Sequence, residues 1–279
     1  FYHFRFPATH RNYKALLYGD MNLVDWQAGK DTALRRRGDG WYPSADELQV
    51  RFATPAYAVF RMLARCVPGE RAATGNAVHR LGWGQMWGPE FEGVQAQAVD
   101  TGRDLVVNLL NPADRPVPHA AVHVPAAGGD YRFAVVRETS QARRDEAVAQ
   151  LPVTDDTAVV DLAPQSLTQV IFTPLALDRA TSIRLEEDSL TPGGLDDGLD
   201  LWQTTHLRAL AMIDGDEIDV SDLNTVWSSS EPEYLHLHQG GLAVRLRAPE
   251  RPALIDVGML DNGPATSVEC MGEETLAEG

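Results

Sequence analysis

Between Arg103 and Pro174 the chain is cut into short apolar runs by turn residues, and no other stretch limits the possible folds so tightly. Asp104-Leu-Val-Val-Asn-Leu-Leu-Asn-Pro112 is rich in aliphatic and β-branched residues and stops at Asn-Pro, as a buried strand entering a turn should. Ala120–Val124, Tyr131–Arg137 and Thr157–Leu162 repeat the pattern, separated by Gly, Pro or Asp clusters. In Ser166-Leu-Thr-Gln-Val-Ile-Phe-Thr-Pro174, Val170 and Phe172 recur at period two and so share one face. Strands of this length, with turn signals at this spacing, predict an antiparallel β-sandwich.

The residues before that stretch read differently. From Thr9 to Trp26 the positions Tyr13, Leu16, Leu17, Met21 and Val24 form the apolar stripe of an amphipathic helix. Gln27–Tyr42 interrupts it with Gly29, Gly38, Gly40, three arginines and two aspartates, a long polar loop bracketed by Trp26 and Trp41-Tyr42. Ser44 followed by Glu47 is a capping-box pattern and predicts a second helix start. Pro55 cannot continue that helix, so the pattern restarts with Thr54 as N-cap and Pro55 at the first helical position, ending at Pro68-Gly69. Between the helices and the sandwich, residues 71–102 hold Trp83, Trp87 and Phe91 among several glycines, which reads as one or two irregular strands with packing aromatics. One-sided helices over seventy residues make a thin core, so they are expected to belong to a larger body. A chain that starts Phe-Tyr-His-Phe rather than with Met fits that expectation of further sequence upstream.

After Pro174 a third module begins. Thr181–Leu185, Thr205–Ala211, Val226–Pro232 and Leu242–Leu246 alternate as half-buried strands, with Gly240-Gly241 as a turn. Glu269–Gly279 is acidic and rich in small residues, and reads as a frayed tail.

Two groups of residues carry a family resemblance. Arg11-Asn-Tyr-Lys-Ala-Leu-Leu-Tyr-Gly-Asp-Met-Asn22 and Ala53-Thr-Pro-Ala-Tyr-Ala-Val-Phe-Arg-Met-Leu63, followed by the Asn111-Pro112 strand end and Leu162-Ala-Pro-Gln-Ser-Leu167, resemble the end of clan-A glycoside hydrolases of families 39 and 51. These are β-xylosidases and α-L-arabinofuranosidases, in which a β-sandwich follows the last barrel helix. Separately, Val226-Trp-Ser-Ser-Ser-Glu-Pro232 with its Gly-Gly turn resembles a bacterial Ig-like domain of group 2, though Ala248–Pro252 departs from that pattern. The resemblances together imply a multidomain, mostly β chain. Residues 1–70 would be the helical end of a (β/α)8 barrel, 71–175 an antiparallel β-sandwich, 176–268 an Ig-like β-sandwich, and 269–279 the acidic tail.

Composition narrows the function. A formal net charge of −16, with Arg35-Arg36-Arg37 the one basic run, opposes nucleic acid and anionic membrane surfaces. No apolar run is long enough to cross a bilayer, and no leader-like segment opens the chain. Cys66 and Cys270 are the two cysteines, at opposite ends, and read as separate thiols. Phosphate-binding glycine loops, nucleophile elbows and paired-cysteine zinc motifs do not occur, so no cofactor is expected. His236 and His238 share one face of a strand but lack a third ligand nearby, and Asp196-Asp197-Gly198-Leu199-Asp200 lacks the spacing of a calcium loop.

A retaining glycosidase needs two carboxyl groups about 5 Å apart. The families resembled place theirs on the fourth and seventh barrel strands, and no residue here matches either motif. Glu47, the one glutamate before Glu70, belongs to the capping box. The catalytic pair is therefore expected upstream of Phe1. Substrate contact is expected from the loop after the first helix: Trp26, Trp41 and Tyr42 offer flat faces for a sugar ring, and Asp25, Asp31 and Arg35 offer polar partners. The competing reading is a solvated loop pinned by packing aromatics. As a whole, the resemblance implies the C-terminal portion of a secreted bacterial glycoside hydrolase, extracellular or attached to the cell surface, that acts on a plant or host polysaccharide side chain. The alternative is a non-catalytic carbohydrate-binding or structural module of two sandwiches. In either case the expected partner is an oligo- or polysaccharide, and in the first also the rest of the barrel.

Overall fold

A computed structural model describes residues 24–26, 36–37, 40–41, 50–53, 55–66, 70–72, 93–124, 130–187, 204–245 and 252–270. The described part is mostly β, in antiparallel sheets, and falls into two compact units. One is built on residues 58–177. The other combines 178–270 with the short strands before residue 57.

Those short strands are β1 (Val24–Trp26), β2 (Arg36–Arg37), β3 (Gly40–Trp41) and β4 (Val50–Ala53), with β1 paired to β4 and β2 to β3. They correct two helical expectations. Val24–Trp26 ends the first expected helix as a strand, and Val50–Ala53 replaces the body of the second. The reason lies in Val50-Arg-Phe-Ala53, where Val and Phe alternate at period two and the strand pairs with Val24–Trp26. The turn region expected to be a plain loop also contains the β2–β3 ladder. Positions 44–49 and 1–21 lie outside the described residues.

Helix α1 (Pro55–Ala64) starts at the proline that the sequence places first in it. Then follow β5 (Glu70–Ala72), β6 (Gln95–Asp100), β7 (Leu105–Asn111), β8 (Val117–His123), β9 (Phe133–Thr139), β10 (Glu146–Pro152), β11 (Thr157–Leu162) and β12 (Ser166–Thr173). Six of them form one sheet in the order β10-β9-β12-β7-β6-β5, and β11-β8 form the other. The core between them is apolar: Leu105, Val107, Val136, Val170 and Phe172 face Val122, Val160 and Leu162. The sequence reading misses β10, whose Glu-Ala-Val-Ala-Gln-Leu-Pro has few β-formers, and which is held by its ladder to β9. All eight residues of β12 are buried, because α1 covers the sheet face turned away from the core.

The second unit contains β13 (Ala180–Glu187), β14 (Thr204–Ile213), β15 (Asp216–Asp219), β16 (Thr225–Ser229), β17 (Leu235–Leu237), β18 (Leu242–Arg245), β19 (Ala253–Met259) and β20 (Ala265–Cys270). One sheet runs β13-β14-β18-β17 with β15 beside β14, the other β16-β19-β20. β20 carries Glu269 and Cys270, so pairing extends two residues beyond the expected module end at 268. The turn between β17 and β18 uses Gly240 and Gly241, both at positive φ. Gly241 sits where its carbonyl accepts from Leu207 N–H at 2.8 Å and the Trp227 ring lies directly above. A side-chain carbon there would overlap the Leu207 carbonyl oxygen, in a backbone region that L-residues avoid. Gly241→Ala is expected to cost about 3 kcal/mol or more, read as a drop in urea midpoint with unchanged slope; an effect within experimental error would show that the turn does not approach Leu207 of β14 as closely as this.

Candidate functional site

The face of the six-stranded sheet beneath α1 is not uniformly apolar. Ladder pairing aligns Gln97 of β6, Asn108 of β7, Gln169 of β12 and Arg137 of β9 in one row across four strands. The next row along is Val99, Val106, Ile171 and Val135. Gln97, Asn108, Gln169 and Arg137 are each no more than 1% exposed, so each polar group must find a partner within the protein or carry a desolvation cost. The helix and the turn after it provide partners for Gln169 and Asn108, Asp145 provides them for Arg137, and the Gln97 amide is buried without one. Gln169 Nε2 donates to the Met62 carbonyl at 2.7 Å and to Asn108 Oδ1 at 2.8 Å, while Gln169 Oε1 accepts from Arg65 at 3.2 Å. Asn108 Nδ2 donates to Cys66 Sγ at 3.4 Å. Met62, Leu63 and Val59 pack on Leu167 beside this row.

At the centre of the junction is Asp145, from the loop that joins β9 to β10. It is buried, at φ +55°, a conformation that Asp tolerates better than most residues. Its N–H donates to Thr139 Oγ1 at 2.9 Å and its carbonyl accepts from Arg137 Nη2. The carboxylate takes Arg65 on both oxygens, through Nη1 to Oδ1 at 2.8 Å and Nη2 to Oδ2, and Arg137 Nε on Oδ1 at 3.0 Å. Arg61, one turn before Arg65 on α1, stands 3.7 Å from Oδ2. Burial pushes this carboxyl up, but the Arg65 and Arg137 guanidinia, with Arg61, outweigh it and hold Asp145 below the usual carboxylate range. A carboxylate held ionised with its oxygens occupied cannot deliver a proton, so the cluster clamps helix to sheet and is not an acid/base pair. Cys66 is equally unsuited to nucleophilic attack. Burial pushes its thiol up, against smaller downward effects from Asn108 and Arg65.

At one end of the sandwich the two motifs quoted for the family resemblance meet. Asn111 Nδ2 donates to the Ala163 carbonyl at 2.8 Å and to the Arg115 carbonyl at 2.9 Å, and its Oδ1 accepts from Ala113 N–H at 3.2 Å. Ser166 Oγ donates to the same Ala163 carbonyl at 2.7 Å, and Gln165 N–H to the Ala113 carbonyl at 2.8 Å. Asn111-Pro112 and Ala163-Pro164-Gln165-Ser166 are thus two halves of one locked turn.

Asp25 and Trp26 lie on β1 and Trp41 on β3, strands of two different ladders. Asp31, Arg35 and Tyr42 lie outside the described residues, as do Asp196–Asp200. His236 and His238 do share a face, their rings edge to face with centroids 4.4 Å apart, and burial holds His236 below the ordinary imidazole range. Among the described residues no three His, Cys, Asp or Glu side chains are placed to hold a metal. Cys66 and Cys270 are both buried thiols. The sequence reading missed Arg61, Arg65, Arg137 and Asp145 altogether. The available signal was the i, i+4 arginine pair on a helix face otherwise needed for packing.

No protein family matches this chain, and no curated protein matches it. Among solved structures it is similar to a GH30 endoxylanase from Clostridium papyrosolvens C71, at 18% identity and a TM-score of 0.34, over 43% of this chain and 28% of that one. It is also similar to a Paenibacillus polymyxa xyloglucanase from glycoside hydrolase family 44, at 10% identity and a TM-score of 0.27, over 30% of this chain and 17% of that one. The chain therefore spans less than a third of the length of either protein.

Asp145→Asn leaves three guanidinia around a neutral amide, and removing one partner of a buried ion pair costs about 3 kcal/mol or more. Because the folded carboxyl lies below its unfolded value of about 3.9, its contribution is complete above that value and is lost as pH falls through the folded one. Urea melts from neutral to acid pH should show this: the gap between Asp145→Asn and the unaltered chain narrows below about pH 4. A gap that stays constant would mean that the carboxylate is not held as described.

Proposed function

We propose that this chain is the C-terminal portion of a carbohydrate-active enzyme, a glycoside hydrolase whose β-sandwich is clamped to the closing helix of a (β/α)8 barrel. The observation that carries the reading is the junction itself. A sandwich that stood alone would turn a polar face to water, whereas this one buries Gln97, Asn108, Gln169 and Arg137, joins Gln169 and Asn108 to α1 and the turn after it, and joins Arg137 through Asp145 to Arg65. Support comes from the sequence resemblance as well, since α1 is the Thr-Pro-Ala-Tyr-Ala-Val-Phe helix and the locked turn at Asn111 joins the other two family motifs.

In this reading the acid/base and nucleophile are glutamates on barrel strands outside the 279 residues. The finer assignment is an α-L-arabinofuranosidase or β-xylosidase, secreted by a bacterium and acting at the cell exterior on side chains of a plant or host polysaccharide. Residues 176–268 are an Ig-like spacer. Trp26, Trp41 and Tyr42, with Asp25, Asp31 and Arg35, border the sugar cleft.

Sequencing the source gene across Phe1 tests the assignment, because the reading requires an upstream barrel with paired carboxylates ending its fourth and seventh strands. The 279-residue chain alone should not hydrolyse nitrophenyl arabinofuranoside or xyloside; turnover by it would show an acid and base within these residues. For the cleft, calorimetry with arabinoxylan oligosaccharides on the barrel-containing protein should show binding weakened about tenfold or more by Trp26→Ala or Trp41→Ala, the scale of one lost stacking contact. Affinity that survives both substitutions removes these residues from the site.

A further inference from the structure

The sheet β16-β19-β20 turns one side to solvent. Its ladders run in unbroken register, so Val226, Gly258 and Ala265 form one row across the three strands, and Ser228, Asp256 and Ser267 form the next. Val226 is 43% exposed, Ser228, Ala265 and Ser267 are exposed as well, and Asp256 and Gly258 on the middle strand are half-buried. The two rows line an open groove of about 370 Å³. Glycine inside a strand weakens it, and usually marks a bulge, a left-handed backbone or the close approach of another group. Gly258 has neither a bulge beside it nor a positive φ. Beyond its chain neighbours, a side-chain carbon built there would meet Ala265 Cβ at 3.4 Å, an ordinary contact, and nothing else within 4 Å. The missing side chain leaves the floor of the groove bare.

The polar row decides what such a floor can hold. Asp256 offers a carboxylate that accepts hydrogen bonds, and the Ser228 and Ser267 hydroxyls on either side both donate and accept. Among the described residues none of these three side chains is engaged in a hydrogen bond or ion pair. A metal ion needs more ligands, and among the described residues Asp256 belongs to no group of three that could hold one. The net charge of −16 opposes an anion. Val226 is the one large apolar side chain of the six, too little for an apolar helix or a lipid. A neutral sugar meets every one of these conditions, since its hydroxyls can pair with the carboxylate and the serines while a C–H face of the ring rests on Gly258 and Ala265. We propose that this groove binds a neutral glycan chain, with one ring over the Gly258 row and its hydroxyls on Asp256. The site lies within residues 176–268 and gives that spacer a ligand of its own.

Amide chemical shifts of the 279-residue chain, titrated with xylohexaose, cellohexaose and mannohexaose, test this. At least one sugar should move the amides of Ser228, Asp256, Gly258 and Ser267 saturably. Gly258→Val fills the floor with a strand-favouring side chain, so it should abolish those shifts while raising the urea midpoint. Asp256→Asn keeps the shape, removes the charge and should weaken binding about tenfold. No saturable shift at these amides with any of the three sugars overturns the proposal, and so do shifts that persist unchanged in Gly258→Val. If that variant does not fold, unchanged affinity in Asp256→Asn overturns it instead. A hexa-arginine peptide that moves these amides where the sugars do not would make the groove a cationic-peptide site, and that also overturns the proposal. The readout needs no catalytic residue and no contact at Trp26 or Trp41, so its failure and the failure of the glycosidase reading are separate results.

Discussion

The first unit depends on a single carboxylate that should be costly to bury and is not, because of what surrounds it. Asp145 lies in the low-dielectric layer between α1 and the sheet with guanidinia of Arg65, Arg137 and Arg61 around it. Arg61 comes from the helix, Arg65 from the turn that ends it and Arg137 from β9, so the charge can be satisfied only when helix and sheet are docked in one register. Apolar contacts of Met62 and Leu63 on Leu167 supply attraction without direction. The polar row adds direction, since Gln169 reaches the Met62 carbonyl only if the helix lies at that height along β12.

That arrangement explains a pattern that otherwise looks contradictory. β12 is antiparallel to both neighbours yet buried along its whole length, as strands of parallel sheets usually are. One face meets the sandwich core through Val170 and Phe172, the other meets α1 through Leu167 and Gln169. A sandwich with a helix fixed to its back is a three-layer body.

How much of this could be read from the residues depends on the range of the interaction. The strands β7, β9, β11 and β12 are legible because alternation and turn residues act locally, and so is the proline start of α1. The strand β4 is not, since Ser44 and Glu47 advertise a helix while Val50 and Phe52 find partners on β1 far away in sequence. Asp145 is illegible for the same reason. In Arg143-Arg144-Asp145-Glu146 it looks like one more solvated charge, and its partner Arg65 is 80 residues distant. The expected sugar contacts rest on residue type alone, and the backbone puts Trp26 and Trp41 on separate ladders.

If helix and sandwich form one cooperative body, their amides must open together. Native-state hydrogen exchange measured on Leu63 and Ala64 of α1 and on Val170 and Phe172 of β12 tests this most directly. The interlocked junction predicts a common opening free energy for the two sets, lowered equally by denaturant. Helix amides that exchange through a separate, far less costly opening, while β12 stays protected, would contradict it and leave the sandwich as a body that merely has a helix beside it.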